Sequence, residues 1–287
     1  MQDLGTLSTG TDAYATLIND RGQVVGVSYI NSVPSPVCPF LLTTGSFIWD
    51  KKNGMRDIGD LGGTCTMATD INNRGQVVGV SGLPGDSVAH PFIWEAATGM
   101  TDLVGASSAN TSWLWWAPPT VNTNGTVAGM ACDPVHCYSL LWRKTGGKWA
   151  QTLLATDVVS VSINDSEQVI GYGSFPFLWE DGGPAVDMNT LVPPNSGITL
   201  HEAVQINNRG EIAVQGSDSS GNNHAVLLIP CDENHPNVEG CDYSMVDAST
   251  AAAQSAARPG LTRTEQAPPR SRWSNRYHMR GVQPGTR

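Results

Sequence analysis

Ile71-Asn-Asn-Arg-Gly-Gln-Val-Val-Gly-Val-Ser81 is a pattern to which the chain keeps returning. It recurs as Ile18-Asn-Asp-Arg-Gly-Gln-Val-Val-Gly-Val-Ser28, Val121-Asn-Thr-Asn-Gly-Thr-Val-Ala-Gly129, Ile163-Asn-Asp-Ser-Glu-Gln-Val-Ile-Gly171 and Ile206-Asn-Asn-Arg-Gly-Glu-Ile-Ala-Val214. The anchoring asparagines Asn19, Asn72, Asn122, Asn164 and Asn207 recur at roughly the 40–50-residue period of a four-stranded propeller blade. Five such copies mark a repeat protein in which each unit packs on its neighbours.

Aligned on the asparagine, each column has a physical reading. The residue before it is Ile18, Ile71, Val121, Ile163 or Ile206, β-branched as a buried strand requires. Four residues before it stand Ala15, Ala68, Pro118, Ser160 and Ala203, small enough to let neighbouring sheets approach. Three residues after it come Gly22, Gly75, Gly125 and Gly210, marking a hairpin with positive φ, while Glu167 breaks the column. A second strand follows, then a third that ends in Trp49, Trp94, Trp142 or Trp179 in four copies. The fourth strand carries an apolar-x-Asp pattern, as in Met55-Arg-Asp57 and Met100-Thr-Asp102. The fifth copy lacks it, whereas Met1-Gln-Asp3-Leu-Gly5 matches Met55-Arg-Asp57-Ile-Gly59 from the opposite end of the chain. The expected fold is all-β: a five-bladed β-propeller of four-stranded antiparallel blades, the last closed by the N-terminal strand so that no sheet edge stays open. The propeller spans 1–230, a Cys-bounded extension 231–248, and a basic, disordered tail 249–287.

The motifs Asp3-Leu-Gly-Thr-Leu7, Ile71-Asn-Asn-Arg-Gly-Gln-Val-Val-Gly79 and His90-Pro-Phe-Ile-Trp94 together resemble the HAF-repeat family of bacterial extracellular repeat proteins, named for a His-Ala-Phe triplet. Here the triplet reads His90-Pro-Phe92 and His224-Ala-Val226, and the third and fourth copies have no His. The resemblance covers residues 1–230 and implies export, to the extracellular space or the periplasm. It brings no activity and no catalytic residues.

Charged residues make up 15% of the chain, against roughly 25% in an average soluble domain, and 31 Gly with 18 Pro favour turns over helices. No apolar run approaches the roughly twenty residues of a membrane-spanning helix. The first residues lack the basic start and apolar core of a signal peptide. Net charge is −10, yet the tail from Ala251 holds Arg258, Arg263, Arg270, Arg272, Arg276, Arg280 and Arg287 against the single acid Glu265. The body is therefore strongly acidic, which excludes a nucleic-acid-binding core. The expected partner is an extracellular polysaccharide or protein, bound by a monomer that needs no cofactor and no metal. The even cysteine count, without Cys-x-x-Cys, reads as disulfides: Cys132 with Cys137, Cys231 with Cys241, and Cys38 with Cys65 across neighbouring blades.

Catalytic motifs are lacking. There is no Gly-x-Ser-x-Gly, and Gly79-Val-Ser-Gly82 is one residue short of it. Asp70-Ile-Asn72-Asn-Arg-Gly75 resembles a calcium loop only until Arg74, which occupies a ligand position. The asparagines repeat in every copy, as a structural task requires, and His90 and His224 fit a link between strand and loop. What the repeat leaves unexplained is Asn110-Thr-Ser-Trp113-Leu-Trp115-Trp116-Ala-Pro-Pro119. Trp113 and Trp115, at strand spacing, either fill space between blades or form a stacking surface for a sugar or partner chain. Trp113, Trp115, Trp116, Asp70 and Glu202 are the ligand-binding candidates of a non-catalytic module. The alternative is a carbohydrate-active hydrolase using channel carboxylates, for which Asp12, Asp70 and Glu202 are available.

Overall fold

Each copy of the repeat opens one antiparallel sheet, and five sheets are present among the described residues of this computed structural model. Those residues are 1–7, 10–34, 38, 42–86, 88–105, 118–132, 135–180, 183–193, 196–232, 234–238 and 277–279. The first sheet runs β1 (Ala13–Ile18), β2 (Val24–Pro34), β3 (Leu42–Asp50), β4 (Gly54–Asp57), and the second β5 (Thr66–Ile71), β6 (Val77–Gly82), β7 (Ala89–Glu95), β8 (Gly99–Asp102). The third runs β9 (Thr120–Val121), β10 (Val127–Cys132), β11 (Cys137–Thr145), β12 (Lys148–Thr156). The fourth repeat supplies β13 (Val158–Ile163), β14 (Val169–Gly173), β15 (Phe177–Trp179) and β16 (Val186–Asp187). The fifth runs β17 (Ile198–Ile206), β18 (Ile212–Asp218), β19 (Asn223–Pro230), β20 (Tyr277–Met279). Two compact units result, Met1–Val169 and Ile170–Arg287. No helix among the described residues is long and apolar enough to cross a membrane.

In the first unit the sheets stack by burying β-branched and aromatic pairs. Val25 and Ile48 of the first sheet meet Ala68, Ile71, Val77, Phe92 and Trp94 of the second. The opposite face of the second sheet sends Val78 and Ile93 against Val121, Val127, Leu140 and Trp142 of the third. A sheet covered on both faces needs apolar neighbours in sequence, which explains the runs Val77-Val78 and Phe92-Ile93. Ala68 is fully buried, as the small column predicts. A Cβ on Gly79 would stand 2.0 Å from the Met67 carbonyl oxygen, so only glycine fits that crossing. In the second unit the buried residues of the fifth sheet include Leu200, Ala203, Ile206, Ile212, Val214 and Leu228. There His235, buried, bonds Asp232 at 2.7 Å and stands 3.3 Å from Glu211, tying the described extension to the fifth hairpin turn.

The N-terminal segment does not close the fifth sheet. Residues 1–7 hold no strand, and the outer neighbour of β19 is β20, with Leu228 opposite Met279 and Pro230 opposite Tyr277. The resemblance of the N-terminus to residues 55–59 lies in the linker that follows a fourth strand. Asp3 Oδ1 accepts from the Gly5 N–H at 3.0 Å, and Leu7 N–H reaches Ser28 Oγ at 3.1 Å. Asp57 and Gly59, and Leu61 and Ser81, make the same two bonds at 2.8 and 2.9 Å. The aspartate-led turn thus docks residues 3–7 on the first sheet, and β20 lies in the tail expected to be disordered.

Two predicted disulfides join described cysteines. Cys38 bonds Cys65 between the first and second repeats, with Cα atoms 5.6 Å apart. Cys132 bonds Cys137, its direct cross-strand partner on β10 and β11. Cys231 is also disulfide-bonded, while Cys241 lies outside the described residues.

A cleft between the first two sheets

The repeated asparagine builds the edge on which the candidate site sits. Asn72 Oδ1 accepts from the N–H groups of Arg74 and Gln76, at 3.0 and 3.1 Å, closing its own hairpin. Its Nδ2 donates to Gln76 Oε1 at 2.7 Å and to the Asn122 carbonyl of the next sheet at 2.9 Å. Asn19 makes the matching bonds to Gln23 and to the Asn72 carbonyl, and Asn122 donates to the Asn164 carbonyl at 3.1 Å. The result is a buried ladder crossing three successive junctions, with the amides of Asn19 and Asn72 saturated. Gly22, Gly75, Gly125 and Gly210 hold φ between 72° and 88°, and Glu167 reaches 57°.

The ladder fixes Gln23 and Gln76 after the first two turns, and each of these side chains leans on the next hairpin. Gln76 Oε1 would lie 2.7 Å from a Cβ on Gly125, so glutamine here requires glycine there. The third repeat carries the shorter Thr126, and the fourth answers with Glu167. Its carboxylate accepts from Thr126 Oγ1 at 2.5 Å and from Arg143 Nε at 2.8 Å. The exception to the glycine column is thus one half of a size exchange. Burial alone would raise the Glu167 carboxyl, but the bonds from Arg143 and Thr126 hold it below its ordinary value.

Along this edge the junctions differ in how they are filled. Between the second and third sheets, Lys144 bonds Glu95 Oε2 at 2.7 Å with its ammonium 5.6 Å from the Trp149 ring centre. At the first junction the positions corresponding to Lys144 and Thr145 are Ala96 and Ala97, and a cleft of about 380 Å³ opens. Gln23, Ile48 and Arg56 line it from the first sheet, and Arg74, Gly75, Gln76, Trp94, Glu95, Ala96 and Ala97 from the second. Ala96 and Ala97 with the edge of Trp94 give it an apolar wall, and Ile48 is buried at its base. Gln76 Nε2 donates to Glu95 Oε1 at 2.8 Å, and the bond from Lys144, ahead of that from Gln76, keeps the Glu95 carboxyl below its ordinary value. Arg56 pairs with Asp50 at 3.1 Å, and Asp50 is held low chiefly by Asn53. Arg74 Nη1 donates to the neutral Asn124 carbonyl at 3.0 Å. The volume falls within the roughly 300–1,000 Å³ of small-molecule sites.

The sequence-derived candidates stand elsewhere. Trp113, Trp115 and Trp116 lie outside the described residues. Asp70 does not line the cleft: its Oδ1 accepts from Ile71 N–H at 2.7 Å and its Oδ2 from Val121 N–H at 2.9 Å, joining β5 to β9. Burial raises its carboxyl above the ordinary value against those two bonds. Glu202 lies exposed on β17, and burial, then the Glu202 charge, raises the Tyr172 hydroxyl. Asp12 is exposed and accepts from Thr11 Oγ1. His90 bonds Asp102 across β7 and β8 at 2.8 Å, and His224 bonds Asp218 at 3.2 Å. Sequence reasoning missed Arg56, Trp94 and Glu95 because each belongs to a repeated column; the available signal was the pair Ala96-Ala97 after a tryptophan followed elsewhere by charged residues.

No protein-family model and no curated protein matches the chain. Similar solved structures include the β-propeller domain of the Trilobed protease from Pyrococcus furiosus, described as having an open velcro topology. It shares 10% identity over 77% of this chain and 82% of that one, with a TM-score of 0.36. A triple mutant of AofleA from Arthrobotrys oligospora shares 11% identity over 77% of this chain and 70% of that one, with a TM-score of 0.34.

Proposed function

We propose that the five sheets are the blades of one propeller, and that the protein is an exported, non-catalytic binding module seating its ligand in the cleft between the first two. One observation carries the reading: at equivalent junctions the edge is bridged by Lys144 or by Arg143 with Glu167, and at Ala96-Ala97 it stays open. The blade reading is supported by the asparagine ladder, which links the first four repeats in succession. Export is supported by the disulfides, which an oxidising compartment maintains, and by the HAF-like repeats. Ala96→Trp fills the cleft from an exposed turn, so the variant should keep its melting temperature and lose binding to an oligosaccharide array. Retained binding would defeat the cleft assignment.

A further inference from the structure

The geometry points to a carboxylate-bearing sugar, one uronate unit of an acidic polysaccharide, as the occupant of this cleft; the inference rests on the cleft being the ligand seat. Charge accounting comes first. Glu95 is matched by Lys144 and Asp50 by Arg56, whereas Arg74 contacts only a carbonyl oxygen among the described residues. The cleft therefore carries one uncompensated guanidinium. Hydrogen-bonding capacity has the same bias. The side-chain oxygens of Gln23 and Gln76 already accept from Asn19 and Asn72, and both Glu95 oxygens accept from Gln76 and Lys144. Left over are donors: Gln23 Nε2 and the remaining N–H groups of Arg56 and Arg74.

The surrounding edge extends the pattern. The four turn segments that meet there, 19–23, 50–56, 72–76 and 95–99, carry Arg21, Lys51, Lys52, Arg56 and Arg74 against Asp20, Asp50 and Glu95. This local excess of cations stands on a chain whose net charge is −10. A donor-lined, cationic recess calls for an anionic, acceptor-rich ligand, and a planar guanidinium suits a carboxylate in two-point contact. The accessible wall, Ala96 and Ala97 with the uncovered edge of Trp94, is apolar. A pyranose ring supplies the C–H face that such a wall covers, together with hydroxyls for the Gln23 amide. A flexible acidic peptide would satisfy the guanidinium but leave the wall without a rigid ring to cover it.

Titration calorimetry on the full chain tests this, using trigalacturonate, a hyaluronan tetrasaccharide, the carboxyl methyl ester of each, and a Glu-rich hexapeptide. The expected result is that an acidic oligosaccharide binds, its ester binds at least roughly tenfold more weakly, and affinity falls with added salt. Arg74→Gln should weaken the acidic form by roughly tenfold to a hundredfold while leaving the ester nearly unchanged, and Arg74→Lys should fall between. A melting temperature equal to the parent's separates lost recognition from lost folding. If acid and ester bind equally and Ala96→Trp abolishes both, the uronate assignment is overturned and the cleft stands. Should the peptide bind and the sugars fail, the ligand class is wrong. If Ala96→Trp changes nothing for any probe that binds, the cleft itself is refuted.

Discussion

At the scale of single residues, the asparagine column does two tasks that a sequence alignment shows as one. Asn72 closes its own turn and, through a second N–H, holds the next repeat by its backbone carbonyl. Asn72→Ala would strand buried backbone groups on both sides of the junction. We expect a loss of about 2–4 kcal/mol by urea denaturation, with Asn73→Ala, half-buried and bonded among the described residues only to the surface residue Asp20, costing less. Equal losses would contradict the ladder. The exchange of Thr126 and Glu167 makes a sharper case. Thr126→Gln alone should drive its amide into the Glu167 turn and cost about 1–3 kcal/mol. Adding Glu167→Gly restores the pairing seen at Gln76 and Gly125, so the double variant should recover part of that loss, a coupling that a double-mutant cycle measures. Strict additivity would show that the two positions ignore each other.

Glu167 also sets a pH dependence. Its carboxyl titrates below the ordinary value in the folded state, so its contribution is complete above the unfolded value of about 4.3 and is lost as pH falls through the lower folded value. Glu167→Gln should therefore lower stability at pH 7 and flatten the stability–pH curve in the acid limb. Parent and variant curves of the same slope between pH 5 and pH 3, both about that range, would remove Glu167 as the cause.

At the scale of elements, the disulfides close loops of different length. Cys38 and Cys65 are 27 residues apart and join two repeats, whereas Cys132 and Cys137 are 5 apart and staple one hairpin. Loop-closure entropy assigns about 3.5 kcal/mol to the first and about 2 kcal/mol to the second. Paired Cys→Ala variants should lose stability in that order, and the reverse order in thermal melts would contradict a loop-entropy origin. Much of this level was legible in sequence: the period, four strands per repeat, the left-handed glycine and both described cysteine pairs. Other parts were not. Met1-Gln-Asp3-Leu-Gly5 resembles both a strand and the turn after it, and hydrogen bonds from Gly5 and Leu7, not similarity, decide for the turn. Asp70 looked available because it is acidic on an inner strand, yet two backbone N–H groups from neighbouring strands occupy it. The cleft was hidden because it arises from side chains too short to reach across a junction, and a pattern search looks for chemistry that is present.

At the scale of the whole molecule, the account joins a regular scaffold to one local departure from it. Repetition fixes the sheets and their asparagine rungs, and the site opens where Ala96 and Ala97 interrupt the side chains that bridge neighbouring junctions. Function on such a scaffold rests in the departures, because residues common to every repeat are committed to holding the repeats together. The most direct measurement is a crystal structure of the protein soaked with trigalacturonate and with the hyaluronan tetrasaccharide. The account predicts a sugar ring against Ala96, Ala97 and the edge of Trp94, with its carboxylate on Arg74. Clear density for either oligosaccharide at another place, with the space beside Ala96 filled only by solvent, would contradict it.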